Sequence, residues 1–235
     1  MTRIKTILFD LDGTLVHHIP AGGDVFVEYV RSCGFDVHAE DALRSERWTH
    51  FYFAHSLEIQ QDARLYPEAK DFWENYSRRK LVSLGLASAA AQELAGQVSA
   101  YMAESHRPQE VIPPDAPPVL AALQSQGYFL GMVSNRESAY GEKLKELGLD
   151  SYFQFALAGG EISAFKPDRA IFARALELAN STPAETLYVG DNYFADIVGA
   201  RRAGLQAALY DPANLFEDFD CQKIKTFGEL SALLL

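Results

Sequence analysis

Five short apolar runs recur along the chain: "IKTILF" (4–9), "YFLGMVS" (128–134), "FQFALA" (153–158), "TLYVG" (186–190) and "QAALY" (206–210). Each is too short for a stable helix, and the first stops at turn-forming residues, so each reads as a buried strand. Between them lie stretches with apolar residues at helical spacing: "APPVLAALQSQG" (116–127), "SAYGEKLKELG" (138–148), "PDRAIFARALELA" (167–179) and "YFADIVGARRAG" (193–204). Three of these end at glycine, the usual stop for a helix. Strand alternating with helix, with strands that are apolar almost throughout, predicts an α/β fold: a doubly wound, Rossmann-like parallel sheet covered on both faces.

The interval 16–117 breaks this rhythm. Trp48, Phe51, Tyr52 and His55 follow an i, i+3, i+4, i+7 spacing, as do Ala69, Phe72, Trp73 and Tyr76, and Ala91, Leu94, Ala95, Val98 and Met102 extend the pattern. Each set predicts a helix with one face to bury, and no convincing strand is visible. The expected organisation is therefore an α/β core from residues 1–15 and 118–235 with an inserted helical domain at 16–117. The connections "HIPAGG" and "IPPDAPP" are rich in residues that stop helices and restrict linkers.

Composition narrows the partners. The 235 residues carry a formal charge of -11, which disfavours nucleic acid and anionic membrane surfaces. Cys33 and Cys221 stand far apart and form no CxxC, so neither a disulfide framework nor a thiolate zinc site is expected, and a reduced cytoplasmic setting fits. No run is long enough to cross a bilayer, and the N-terminal apolar run meets an aspartate too early for a signal peptide.

Polar clusters fall at or after the carboxyl ends of the expected strands: Asp10 and Asp12 after the first, Ser134 and Asn135 after the second, Lys166 after the third, Asp191 after the fourth. In open α/β sheets that edge is where ligands bind. Asp10 and Asp12, two apart in extended chain, can face one side, and Gly13 permits a turn that other residues resist. Carboxylates gathered at one edge repel unless a cation sits among them, and oxygen donors suit Mg²⁺. Lys166, the Ser134 hydroxyl and backbone amides near Asn135 supply a charge and donors suited to phosphate. All six histidines lie at or before His106, leaving the expected core with carboxylates for proton transfer.

With "DLDGT" (10–14), "SN" (134–135), "KP" (166–167) and "GDNYFAD" (190–196), the chain resembles the haloacid dehalogenase-like hydrolases, in the branch with a helical cap inserted after the first motif. The resemblance implies an Mg²⁺-dependent phosphatase acting on a small phosphorylated metabolite. Asp10 would be the nucleophile that becomes an aspartyl-phosphate, and Asp12 the acid and then the base. Asp10, the Asp12 backbone carbonyl and Asp191 would hold the metal, Ser134, Asn135 and Lys166 the phosphate, and Asp196 would orient Lys166 or a metal-bound water. Where many members carry Asn before that last aspartate, this chain has Ala195.

Dehalogenases of the family usually lack an aspartate at the position of Asp12, and a phosphomutase shares the core, so both stand as alternatives beside a non-catalytic phosphate-binding module. Each motif taken singly has a plainer reading: Asp12-Gly13 as a turn, Ser134-Asn135 as a helix cap. Glu161 reads as a partner for Lys166 or as a solvated loop carboxylate. The aromatics of 16–117 read as packing. His17, His18, Arg44 and Arg47 read as solvated or surface-paired groups, with contact to substrate as the sharper alternative.

Overall fold

The computed structural model describes residues 3–234. Thr6–Phe9 forms strand β1, and all four side chains are buried. So short a strand persists only between neighbours that complete its hydrogen bonds. The other strands are β2 (His17–Ile19), β3 (Gln109–Val111), β4 (Phe129–Ser134), β5 (Phe155–Ala158), β6 (Thr186–Gly190), β7 (Gln206–Tyr210) and β8 (Gln222–Ile224). β1 runs parallel to β4, with Leu8 opposite Gly131, and parallel to β6, with Leu8 opposite Tyr188. The sheet order is β5-β4-β1-β6-β7-β8, with every pairing parallel. The chain thus builds outward from β1 in both directions, and the switch point lies at the carboxyl ends of β4, β1 and β6.

Chain order numbers the helices α1 (Gly22–Ser32), α2 (Ala39–Phe53), α3 (Leu57–Leu65), α4 (Ala69–Ser83), α5 (Ser88–Ser105), α6 (Ala116–Ser125), α7 (Gly141–Glu146), α8 (Arg169–Ala179), α9 (Val198–Arg202) and α10 (Leu230–Leu233). Alternation along β1 sorts its side chains to two faces. Ile7 and Phe9 join Leu120 and Leu123 of α6 and Leu144 of α7, whereas Leu8 joins Ile171, Phe172 and Ala175 of α8. Each fully buried Leu, Ile or Phe contributes roughly 1.5–3 kcal/mol, so both helical layers are held to the sheet chiefly by apolar burial. Local signals fix the helix ends: Asp168 caps α8 by accepting from the Ala170 N–H at 2.9 Å, and Asn180 closes it in the left-handed region at φ 46°.

The chain up to His17 and from Ile112 onward forms one compact unit, and His18–Val111 forms another. In the second, α1, α4 and α5 share a cluster that includes Phe26, Val30, Leu81, Leu84, Leu94 and Val98. Four expectations need correction. Residues 16–117 do contain strand: β2 and β3 pair as a two-stranded sheet, and three-residue, mostly exposed strands leave no alternation to read. β8 escaped notice for the same reason of length. The buried positions of α4 include Asn75, Ser77, Lys80 and Leu81, while Trp73 is 47% exposed. Those polar groups are buried because most find partners: Lys80 Nζ donates to Glu46 Oε2 at 3.1 Å and to Thr49 Oγ1 at 3.0 Å. Nearby, Asp62 accepts from the Tyr52 hydroxyl and from Arg79. The helix expected across 193–204 opens instead with a π-helical turn, Tyr193–Ile197, before α9. His55, taken as the last position of the first helical face, lies past the end of α2 at φ 53°.

Candidate active site

Asp10 follows β1 directly. Its N–H donates to the Val189 carbonyl of β6 at 2.9 Å, so the sheet register fixes its main chain, and the residue is only 5% exposed. The chain then turns tightly, with the Gly13 N–H on the Val16 carbonyl and an isolated bridge between Asp12 and Val16. Gly13 sits at φ +90°, and a Cβ there would lie 2.4 Å from Asp191 Oδ2. Only glycine lets the turn and the Asp191 carboxylate share this space. Thr14 Oγ1 donates to Asp191 Oδ1 at 3.0 Å and lies 3.5 Å from Asp10 Oδ2.

Lys166 is 3% exposed, and its Nζ reaches Asp10 Oδ1 at 2.5 Å and Asp196 Oδ1 at 2.7 Å. Asp196 is delivered by the π-helical turn. The Asn192 side chain caps that turn by accepting from the N–H groups of Phe194 and Ala195, and Asp196 Oδ2 accepts from the Asn192 N–H at 2.9 Å. Turns of this kind recur at functional sites because they re-aim a side chain without breaking the helix. Ala195 offers a buried methyl and its main-chain N–H. Gly190 closes β6 against the same carboxylate, since a Cβ there would fall 2.3 Å from Asp196 Oδ2.

Asn135 has its side chain engaged. Its Oδ1 accepts from the Lys166 N–H at 2.6 Å, and its Nδ2 donates to the Lys166 carbonyl at 2.9 Å. What remains for an anion at this residue is main chain, and the amide side chain holds the lysine segment in place. Ser134, at the end of β4 and 2% exposed, has its Oγ 3.5 Å from Asp12 Oδ2. Sequence reasoning overlooked Arg136, which forks onto Asp12: Nε donates to Oδ2 at 2.9 Å and a terminal nitrogen to Oδ1 at 2.7 Å. Its place two residues past Ser134 was the only available signal. Glu161 is exposed, as a solvated loop carboxylate would be, and its Oε2 accepts from the Ala158 N–H. Arg44 pairs with Asp41 at 2.7 Å, and His18 lies 3.9 Å from Glu110.

The electrostatics follow from burying three carboxylates together. Burial raises Asp10 well above the carboxylate range, and the charges of Asp196 and Asp191 add to this while Lys166 opposes it. Burial and the charge of Asp196 lift Asp191 to about 7. For Lys166, burial favours the neutral amine, but Asp10 and Asp196 outweigh it and the ammonium is held well above its ordinary range. One oxygen from each of Asp10, Asp191 and Asp196 lies within 4.8 Å of the others. Such a set of hard oxygen donors, held together despite repulsion, fits a divalent cation of the Mg²⁺ type. With Asp196 already held by Lys166 and by the Asn192 N–H, Asp10 and Asp191 are the carboxylates better disposed to receive it.

The chain is similar over most of its length to several known proteins. Over 250 aligned residues, 99% of this chain and 98% of the relative, the sequence is 31% identical to a phosphoserine phosphatase of Thermus thermophilus. Over 213 residues, 88% of this chain and 84% of the relative, it is 29% identical to a ribulose-1,5-bisphosphate 5-phosphatase of Halopiger xanaduensis. Among solved structures, a 2-haloacid dehalogenase from Pseudomonas syringae pv. Tomato superposes with a TM-score of 0.57 at 26% identity, covering 98% of both chains. The haloacid dehalogenase-like hydrolase family model matches residues 4–204, and the chain belongs to that family of hydrolases.

Proposed function

We propose that the chain is an Mg²⁺-dependent phosphatase that hydrolyses a small-molecule phosphate monoester through an aspartyl-phosphate on Asp10. The observation that carries this reading is the Asp10 carboxylate at the end of the central strand, flanked by the Lys166 ammonium at 2.5 Å and by a second aspartate two residues on. The relatives named as phosphatases support it. Asp10, Asp191 and the Asp12 main-chain carbonyl would hold Mg²⁺, which would offset the repulsion between the nucleophile and a phosphate dianion.

In the first half-reaction an Asp10 oxygen bonds to phosphorus, the ester P–O bond breaks, and Asp12 gives its proton to the departing alkoxide. In the second, Asp12 takes a proton from water as the water oxygen bonds to phosphorus, and the bond to Asp10 breaks to release phosphate. Lys166 and the Ser134 hydroxyl hold the non-bridging oxygens, Asp196 keeps Lys166 extended toward Asp10, and Asn135 holds the lysine main chain. We assign the catalytic work to the unit containing residues 1–15 and 118–235 and the choice of substrate to the helical unit. A cytoplasmic setting suits the two free cysteines. Among the described residues no helix is long and apolar enough to cross a membrane.

The structural likeness to a dehalogenase makes a dehalogenase the second reading, but that chemistry gives the Asp12 carboxylate no proton to deliver. The test is a panel of phosphate monoesters and 2-haloacids assayed with Mg²⁺ for phosphate or halide release, on the parent and on Asp10→Asn. Phosphate release by the parent and its loss in the variant, with a native melting profile, is the expected result. Halide release alone, or an Asp10→Asn enzyme within about tenfold of the parent, contradicts the proposal.

A further inference from the structure

The two aspartates of the first motif are served by different cations. Lys166 meets Asp10 as a buried point charge, while Arg136 meets Asp12 with a planar fork that engages both carboxylate oxygens. Arg136 is itself held through its main chain and its guanidinium. The Arg136 carbonyl accepts from the Gly160 N–H at 3.0 Å, and its guanidinium lies 5.8 Å from the centre of the Tyr140 ring, which is 4% exposed. Asp12 is by contrast weakly fixed elsewhere: its side chain is 37% exposed, and its contact with Ser134 Oγ is a long 3.5 Å. Two parallel N–H···O bonds set the plane of a carboxylate as well as its position, which a single donor does not.

We propose that Arg136 is the positioning residue for Asp12, holding the plane and rotamer of the carboxylate that carries the proton to and from the reacting oxygens. The inference rests on the phosphatase reading above. It differs from a phosphate-gripping role because the guanidinium is directed at the aspartate. A proton carrier displaced by about 1 Å loses on the order of 10²-fold in rate, and the loss falls on substrates whose leaving group needs the proton.

The experiment compares an alkyl phosphate with an activated aryl phosphate on the parent, Arg136→Ala and Arg136→Lys, each first checked for a native melting profile. For Arg136→Ala we expect kcat on the alkyl ester to fall about 10- to 100-fold with KM changed less than about threefold, and the aryl ester to lose far less. Arg136→Lys restores the charge without the fork and should not recover the alkyl rate. Equal losses on both esters with a raised KM would mean that Arg136 grips the phosphate and would overturn the inference, as would full recovery with lysine or no loss at all. A second readout needs no turnover: the Arg136 Nε–H resonance, assigned through Arg136→Lys, should be sharp and shifted downfield in the parent and should move in Asp12→Asn. An unchanged resonance removes the clamp. A parent silent toward every phosphate ester sinks the phosphatase reading instead, and the resonance still tests the pairing by itself.

Discussion

Lys166→Met tests whether one buried cation balances the carboxylates of the site. Methionine keeps most of the stem and removes the charge. Asp10, 5% exposed, and Asp196, fully buried, would then face each other with Asp191 beside them and with their contacts at 2.5 and 2.7 Å gone. Breaking a buried pair by deleting one partner costs about 3–5 kcal/mol, and in a chain of this length each kcal/mol lowers the melting temperature by roughly 2–4 °C. The variant should therefore melt roughly 6–20 °C below the parent at pH 8. The deficit should be pH-dependent in one direction. Asp191 sits at about 7 and Asp10 is also raised, so between the ordinary carboxylate range and those values the folded state binds more protons than the unfolded one. In the variant the lysine charge that lowers both groups is gone, so both rise further than in the parent, falling pH favours the folded variant more than the folded parent, and the gap between them narrows. Millimolar Mg²⁺ at pH 8 should close part of the same gap. Melting curves at pH 8 and pH 5.5, with and without Mg²⁺, decide the matter. A deficit below about 1 kcal/mol, or one that stays constant across pH, would refute the claim that Lys166 neutralises this cluster.

Two further outcomes are expected. Gly13→Ala forces a Cβ into a left-handed turn and against the Asp191 carboxylate, so it should cost about 1–2 kcal/mol from backbone strain alone and weaken Mg²⁺ binding measured by calorimetry; unchanged binding would show that Asp191 is not needed for the metal. Thorough chelation with EDTA should silence phosphate release, Mg²⁺ should restore it and the larger Ca²⁺ should support it poorly, whereas full activity under chelation would remove the metal from the mechanism.

The parallel core was legible because its strands are apolar on both sides and its helices are punctuated by Gly127, Gly148 and Gly204, all at positive φ. The positions of Asp10, Asp12, Ser134 and Asp191 at strand ends, and of Lys166 in the loop after β5, followed from that alternation. What stayed hidden depends on side-chain partners distant in sequence. The Arg136 fork onto Asp12 spans 124 positions, and the Asn135 bridge to Lys166 spans 31. The burial of Asn75, Ser77 and Lys80 in α4 runs against hydropathy, and the Lys80 partners Glu46 and Thr49 lie on another helix. The π-helical turn was invisible because its cause, Asn192 capping two N–H groups while Asp196 reaches back to the Asn192 N–H, differs from an ordinary helix start by one residue of spacing.

The central place of β1 bears on how the chain reaches this state. It precedes its neighbours β4 and β6 by more than a hundred residues, and the helical unit lies between it and both. During synthesis the segment "TILF" must wait, apolar and with both hydrogen-bonding edges open, until residues near 134 and then 190 have been made. Pairings of such long separation carry a high loop-closure cost and are slow to form, which leaves an interval in which an adhesive strand is exposed. The His18–Val111 unit, with its own apolar cluster, can consolidate during that interval and shorten the effective loop between β1 and β4. An insertion whose two ends pair as β2 and β3 spans the long gap between the first and second sheet strands with its ends held side by side.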